Sequence, residues 1–283
     1  MSTEKKSILI TGCSSGIGLC VAQGLQQRGY RVFATARKSE DVEHLSSLGL
    51  ESLPLDLNNS VSIKNAVNRV LERSGGNLYA LFNNGAYGLP GAVEDLSRDA
   101  LRAQFETNLF GWVELTNLII PVMRQQGHGR IIQNSSVLGF AAMAYRGAYN
   151  ASKFALEGLS DTLRQELAGS HIHVSLIEPG PIISQFRHNA FIAFQKYIDV
   201  EYSAHRNQYQ SMIARLNQEG PAAPFTLGPE AVLKRVIHAL EAKRPRVRYY
   251  VTFPTYLFGY LKRLLSYRMM DRLLFKASGG GKR

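Results

Sequence analysis

Long apolar runs are missing from this chain: no stretch approaches the roughly 18–20 consecutive apolar residues that cross a bilayer. That excludes a membrane-spanning helix. Cysteine is scarce as well. Cys13 and Cys20 have neither metal-ligand company nor a disulfide framework around them, which excludes a cystine-stapled fold and suits a reducing cytosol. The first residues are polar and lead straight into a strand, so no secretory signal is read and a cytoplasmic location is expected. Acids are nearly absent from one region. Residues 243–283 hold eleven Lys/Arg against the single acid Asp271, a net of +10 out of the chain's +11, which leaves +1 for residues 1–242. Charge so localised argues for an anionic partner of the tail and against a nucleic-acid-binding fold.

What is present suffices for a sizeable core: 283 residues, 45% of them apolar and 19% charged. Ser7 to Thr11 has strand character, Thr-Gly-Cys-Ser-Ser-Gly-Ile-Gly follows at 11–18, and Ile17, Val21 and Leu25 keep helical spacing up to Gly29. Gly12, Gly16 and Gly18 permit positive φ and let backbone N–H groups approach a pyrophosphate at a helix N-terminus. A second strand, Arg31 to Ala36, ends in Arg37-Lys38. Dinucleotide folds often place an acid here for the ribose hydroxyls, whereas an arginine suits a 2′-phosphate, so NADP is expected over NAD. Leu53 to Leu57 and Leu78 to Phe82 read as further strands around a helix near 60–73, the second ending in Asn83-Asn84-Gly85-Ala86. Such alternation indicates a doubly wound parallel sheet that binds ligands at the strands' carboxyl ends.

A helix is expected over about 98–126, with Leu101, Phe105, Leu109, Trp112, Leu115 and Ile119 inward. Asn108 interrupts it, either as an exposed polar residue or as a functional one. The next strand, Arg130 to Asn134, closes on Ser135-Ser136. Then comes Tyr149-Asn-Ala-Ser-Lys153 on a helix striped by Leu156, Leu159, Leu163 and Leu167. A phenol is a poor acid near neutrality, but a cation one turn away favours the phenolate and lets the group give and take a proton. A strand at His173 to Ile177 ends in Glu178-Pro179-Gly180-Pro181.

Together these residues resemble the short-chain dehydrogenase/reductase family over about residues 5–250. The likeness rests on the 11–18 glycine motif, Asp56, Asn83-Asn84, Asn108, Ser136 thirteen residues before Tyr149, Lys153 and Pro179-Gly180. Thr-Gly-Cys-Ser-Ser-Gly-Ile-Gly and Phe-Thr-Leu-Gly-Pro-Glu-Ala-Val place it near the retinol and hydroxysteroid dehydrogenases and a related bacterial oxidoreductase. Two departures stand out. The family's Asn-Asn-Ala-Gly reads Asn-Asn-Gly-Ala, and Ser184 replaces a threonine. The resemblance implies an α/β Rossmann-type domain of about seven strands over 1–252. It makes Tyr149 the general acid in reduction and Lys153 the group that lowers its pKa and bonds the nicotinamide ribose. Ser136 would orient the substrate carbonyl, and Asn108 would hold a water in a proton relay. The implied NADP site is Gly12, Ser14, Ser15, Gly16, Ile17, Gly18, Arg37, Asp56, Asn83, Pro179, Gly180 and Ser184 with Tyr149 and Lys153, without a metal. The expected activity interconverts a bulky apolar aldehyde or ketone and its alcohol, in a homodimer or homotetramer. A non-catalytic NADP sensor on the same fold is the alternative, although a sensor has no need of the complete Asn108/Ser136/Tyr149/Lys153 set. A nucleotide-sugar epimerase shares Tyr-x-x-x-Lys but has different glycine spacing.

Residues 181–227 leave the β-α alternation. Rich in aromatics from Phe186 to Tyr209, they read either as a helical pair packed on the core or, the expectation here, as a mobile lid over an apolar carbonyl compound. A helix at 229–242 and a strand at Val247 to Thr252 close the domain. In the extension 253–283, Leu257, Leu261, Leu264, Leu265 and Leu273 alternate with basic clusters, and Arg268, Arg272 and Lys276 share one helical stripe. Three readings stay open for it: an amphipathic helix peripheral on an anionic membrane face, a flap over the site mouth, or a subunit contact.

Overall fold

Strand and helix alternate from the first residues of the computed structural model, which describes residues 5–218, 220–221 and 223–279. Seven strands, β1 (Ser7–Ile10), β2 (Arg31–Ala36), β3 (Glu51–Pro54), β4 (Ala80–Asn83), β5 (Gly129–Asn134), β6 (Ile172–Glu178) and β7 (Arg248–Tyr250), form one sheet. Their order is β3-β2-β1-β4-β5-β6-β7 and every pairing is parallel. Parallel strands are covered on both faces. Accordingly, Ile8 and Ile10 enter one apolar cluster with Val21, Leu25 and Val236, while Leu9 enters the opposite one with Ile63, Trp112 and Leu156.

Three helices supply the first layer: α1 (Gly16–Gln27), α2 (Ser39–Ser47) and, late in the chain, α9 (Glu230–Glu241). The second layer is α3 (Ser60–Arg73), α5 (Gly111–Gln125) and α6 (Gly147–Glu166), with α4 (Arg98–Phe105) leading into α5. The expected 98–126 helix is therefore not continuous. Glu106–Phe110 forms a π-helical turn between α4 and α5, and it carries Asn108 into the interior while Leu101 turns to solvent. Gly111 sits just after this turn because a Cβ there would lie 2.1 Å from the Leu57 carbonyl oxygen. On α6, Leu156 is buried, but Leu159 is 47% exposed, so the expected stripe is only partly inward.

The described residues of 181–227 include α7 (Phe186–Tyr197) and α8 (Arg206–Leu216), which pack Phe194, Tyr209 and Met212 with Leu89, Ala92 and Ala148 as a helical pair. The Tyr209 hydroxyl accepts from Ala92 N at 2.9 Å and donates to Asp95, so its polar end is satisfied. The extension is two helices rather than one, α10 (Phe253–Leu264) and α11 (Tyr267–Ala277), broken where Leu265 and Ser266 turn extended. They fold back on the body through Phe258, Met270 and Leu274, which meet Val137 and Ala141. No described helix is long and apolar enough to cross a membrane.

Candidate active site

The strand order reverses between β1 and β4, and the site forms there, at the carboxyl ends of the strands. Between β1 and α1 the chain passes through two left-handed positions, Gly12 at φ +67° and Gly16 at φ +56°. Gly18 is dictated by contact instead: its Cβ would stand 2.1 Å from the Gly12 carbonyl oxygen. Ser15 opens α1 without a side-chain cap and no acid lies in the first turn, so the helix offers free N–H groups and its positive end to an anion. Ser14 and Ile17 are half-buried in this turn, Ile17 on the core side. The Asn84 amide donates to the Thr11 and Gly12 carbonyls, both at 3.0 Å, and accepts from Asn134 Nδ2 at 2.9 Å, tying the turn to β4 and β5. Across the turn lies the 179–184 loop. Ser184 Cβ is 2.9 Å from where a Gly16 Cβ would stand, and a Gly180 Cβ would meet Thr252 Oγ1 at 2.2 Å. Pro179 accepts from Val137 N at 2.8 Å. Arg37 and Lys38 are both exposed just past β2.

Two other expected cofactor residues serve the frame with their side chains. Asn83 is buried, donating at 3.0 Å to both Thr116 Oγ1 and Gln133 Oε1. Asp56 Oδ1 accepts from Asn58 N at 3.0 Å and shapes the loop after β3. The Gly85-Ala86 departure has a visible reason. A Cβ on Gly85 would press on Gly12 N and Leu57 Cδ1, both at 3.2 Å, where the two turns meet backbone to backbone, and the Gly85 carbonyl accepts from Trp112 Nε1 at 2.8 Å.

Ser136, Tyr149 and Lys153 come together beneath this cradle. The Ser136 hydroxyl bonds the Tyr149 phenol and itself accepts from Leu138 N at 3.1 Å. Ser135, by contrast, turns toward Glu157. Phe186 meets the Tyr149 ring edge-on at 5.3 Å, and Gly88 is open because a Cβ would strike Phe186. Lys153 is fully buried: Nζ donates to the Asn134 carbonyl at 2.8 Å and lies 4.2 Å from the centroid of Trp112. Asn108 Nδ2 donates to Tyr87 O at 2.9 Å and to Ser152 Oγ at 3.3 Å, while its Oδ1 accepts from Tyr87 N. Its side chain thus pins α6 one residue before Lys153.

Burial sets the acid–base character. It pushes the Tyr149 phenol up to about 12, against the pull of the Ser136 hydrogen bond, and pushes Lys153 down to about 7, against the charge of Glu157. Desolvation, not the expected lowering by Lys153, governs the Tyr149 phenol here. Tyr149 stays a protonated donor at neutral pH, and Lys153 can exchange its proton there. Behind them lies a cluster that the sequence reading did not single out. Arg248 Nη2 is 3.0 Å from Glu157 and 2.7 Å from Asp161, and its Nε is 3.2 Å from Glu178. Burial and then the Glu157 charge raise Glu178 to about 9. Trp112 was legible only as core, since nothing in helical spacing reveals a ring laid under an ammonium. Thr11, whose hydroxyl accepts from Asn84 N at 2.8 Å and Gly85 N at 2.9 Å, was visible in the glycine motif but not as a brace.

The sequence matches the short chain dehydrogenase family model over residues 6–193. It is 44% identical over 270 residues to the uncharacterized oxidoreductase YbbO of Escherichia coli K12, covering 95% of this chain and 94% of that protein. Human 17-beta-hydroxysteroid dehydrogenase type 1 is 33% identical over 257 residues, covering 87% of this chain and 77% of that one. Among solved structures, an actinorhodin polyketide ketoreductase variant with NADPH superposes with TM-score 0.72 at 27% identity, covering 89% of this chain and 97% of that one. A seven-stranded parallel sheet, a glycine turn pressed against β4 and a serine–tyrosine–lysine group at its edge accompany a family match across most of the chain. It belongs to the short-chain dehydrogenase family.

Proposed function

We propose that this family member is an NADP(H)-dependent oxidoreductase that interconverts a bulky apolar aldehyde or ketone and its alcohol, with Tyr149 as general acid and base. One observation carries the reading: the Tyr149 phenol is hydrogen-bonded to Ser136, over a buried lysine on the same helix face. The residues fit a dinucleotide. The left-handed Gly12 and Gly16, the uncapped start of α1 and the approach that Gly18 permits suit a pyrophosphate, and an exposed arginine just past β2, Arg37, supports a 2′-phosphate partner. The NADPH-containing ketoreductase among the structural relatives supports that choice. The nicotinamide, when bound, supplies the hydride to the carbonyl carbon.

The chain's own residues manage the proton. Tyr149 donates its phenolic proton to the carbonyl oxygen as negative charge develops there, and the Ser136 hydroxyl holds that oxygen in line. The Lys153 ammonium then stabilises the phenolate. Because burial brings the Lys153 ammonium down to about 7, it can pass a proton back; a water near Asn108 would carry the relay on to solvent. Phe186 against the Tyr149 ring favours an apolar substrate body. The half-exposed Phe110, Phe154 and Leu159 around α5 and α6 support a homodimer whose contact braces the helix that carries Tyr149. The test is NADPH consumption across aliphatic, aromatic, retinoid and steroid carbonyls. Turnover of bulky apolar members with NADPH preferred over NADH supports the reading. Tight NADPH binding with no carbonyl turned over would favour the sensor alternative.

A further inference from the structure

The tail shows solvent a face that its fold does not need. On α10, Thr255, Phe258 and Gly259 point inward, while Phe253, Leu257, Tyr260 and Leu264, spaced by four, three and four residues, form a stripe on the opposite side. Tyr260 is 61% exposed and Leu264 79%. On α11 the inward residues are Met270 and Leu274, and the basic row Arg268, Arg272 and Lys276 lies opposite them, flanked by exposed Phe275 and Met269. Beside the stripe a groove runs along β7 and α9, lined by Lys234, Arg235, Arg246 and Arg263 together with Tyr256 and Tyr260. Among the described residues that line it, none is acidic. Tyr260 belongs to both the stripe and the groove, so the apolar and cationic surfaces share an edge.

The stripe also reaches the site mouth. Phe253 meets exposed Phe225 at 4.9 Å between ring centroids, and two residues on, Leu227 accepts from Ile183 N at 2.9 Å. Ile183 is exposed and precedes Ser184 and Phe186, the latter on the Tyr149 ring.

We propose that the outward faces of α10 and α11, with the cationic groove between α9, β7 and α10, form a docking surface for an anionic phospholipid bilayer. Aromatic and leucine side chains at the rim of a cationic surface match such an interface, where apolar groups enter the acyl boundary and arginines meet phosphates. A soluble acidic protein would satisfy the cations but not the row of exposed rings. A second copy of this chain would bring like charge against like charge. In this geometry the Phe186 side of the site lies next to the bilayer surface. That consequence for substrate access rests on the proposed activity; the docking itself does not.

The full chain is sedimented with vesicles of equal parts phosphatidylcholine and phosphatidylglycerol, and with phosphatidylcholine alone. Two independent variant sets are compared, Arg268→Gln/Arg272→Gln/Lys276→Gln and Tyr260→Ser/Leu264→Ser. All these side chains are exposed, and NADPH consumption on a water-soluble aldehyde with a thermal melt checks that each set folds. The intact protein is expected to bind the anionic vesicles at low salt, leave them at high salt and ignore phosphatidylcholine. The charge variant should lose on the order of a hundredfold in partitioning, and the apolar variant should lose most binding while keeping its fold. Failure of the intact chain to bind anionic vesicles at low salt would overturn the proposal. So would binding that neither variant set weakens. A fall in solution mass caused by Tyr260→Ser/Leu264→Ser would assign the stripe to a second copy instead.

Discussion

Single residues account for most of the chemistry, and they differ in how openly the sequence shows them. Tyr149 and Lys153 are plain because a fixed spacing on a helix puts both on one face. Trp112 is not, although its ring lies under Lys153 and its N–H holds the Gly85 carbonyl. Seen from the sequence it is one more apolar position on an inward stripe. Asn83 shows the converse: a motif residue whose amide is engaged behind the sheet by Thr116 and Gln133. Arg37 is the residue whose role the cofactor reading most depends on. Replacing it as Arg37→Asp trades a phosphate partner for an acceptor of ribose hydroxyls. A charge-assisted contact is worth about 1.5–3 kcal/mol, so NADPH should lose roughly tenfold to more than a hundredfold in affinity relative to NADH. The ratio of kcat/KM for the two cofactors measures this, and an unmoved ratio would make Arg37 an ordinary surface residue.

Elements were legible where period and punctuation agree. β2 lies at Arg31–Ala36 and α3 at Ser60–Arg73, where the pattern puts them. The π-helical turn at Glu106–Phe110 was not legible, because the apolar spacing runs through it unbroken at Leu101, Phe105, Leu109 and Trp112, although the extra residue swings Leu101 to solvent. Nor was the break at Leu265, where the chain turns extended before Ser266 opens α11 and both helices pack on Val137 and Ala141. The junction of α6, β6 and β7 carries its own consequence. Glu178 keeps its proton in the fold up to about 9, while an unfolded chain releases it near the ordinary 4.5. Between those values the folded state binds the extra proton, so this group's contribution to stability falls as pH rises. Glu178→Gln keeps the shape and removes the titration. It should melt above the wild type near pH 8 and level with it near pH 5; an equal gap at both would contradict a protonated Glu178.

At the scale of the molecule, the order of strands and the place of the site were legible, since alternation with short joints admits few topologies. How the surface is used was not, because an exposed leucine and an inward one look alike in a period. Leu159 is the clearest case, placed by spacing in an inward stripe and found 47% exposed beside Phe110. If that face pairs two subunits across a twofold axis, Leu159→Glu sets two buried charges against each other. Light scattering should then give a dimer for the wild type and a monomer for the variant. A wild-type monomer at the same concentration would remove the face from any subunit contact.

The central claim is that Tyr149 gives the proton to a carbonyl reduced with NADPH. Tyr149→Phe keeps the ring against Phe186 and deletes only the hydroxyl that bonds Ser136. The measurement is NADPH consumption on the best apolar carbonyl, beside NADPH affinity by fluorescence titration, for wild type and variant. The expected result is turnover lost with affinity unchanged within a few-fold. A variant that keeps more than about a tenth of wild-type turnover, a barrier change of less than about 1.4 kcal/mol, would contradict the account.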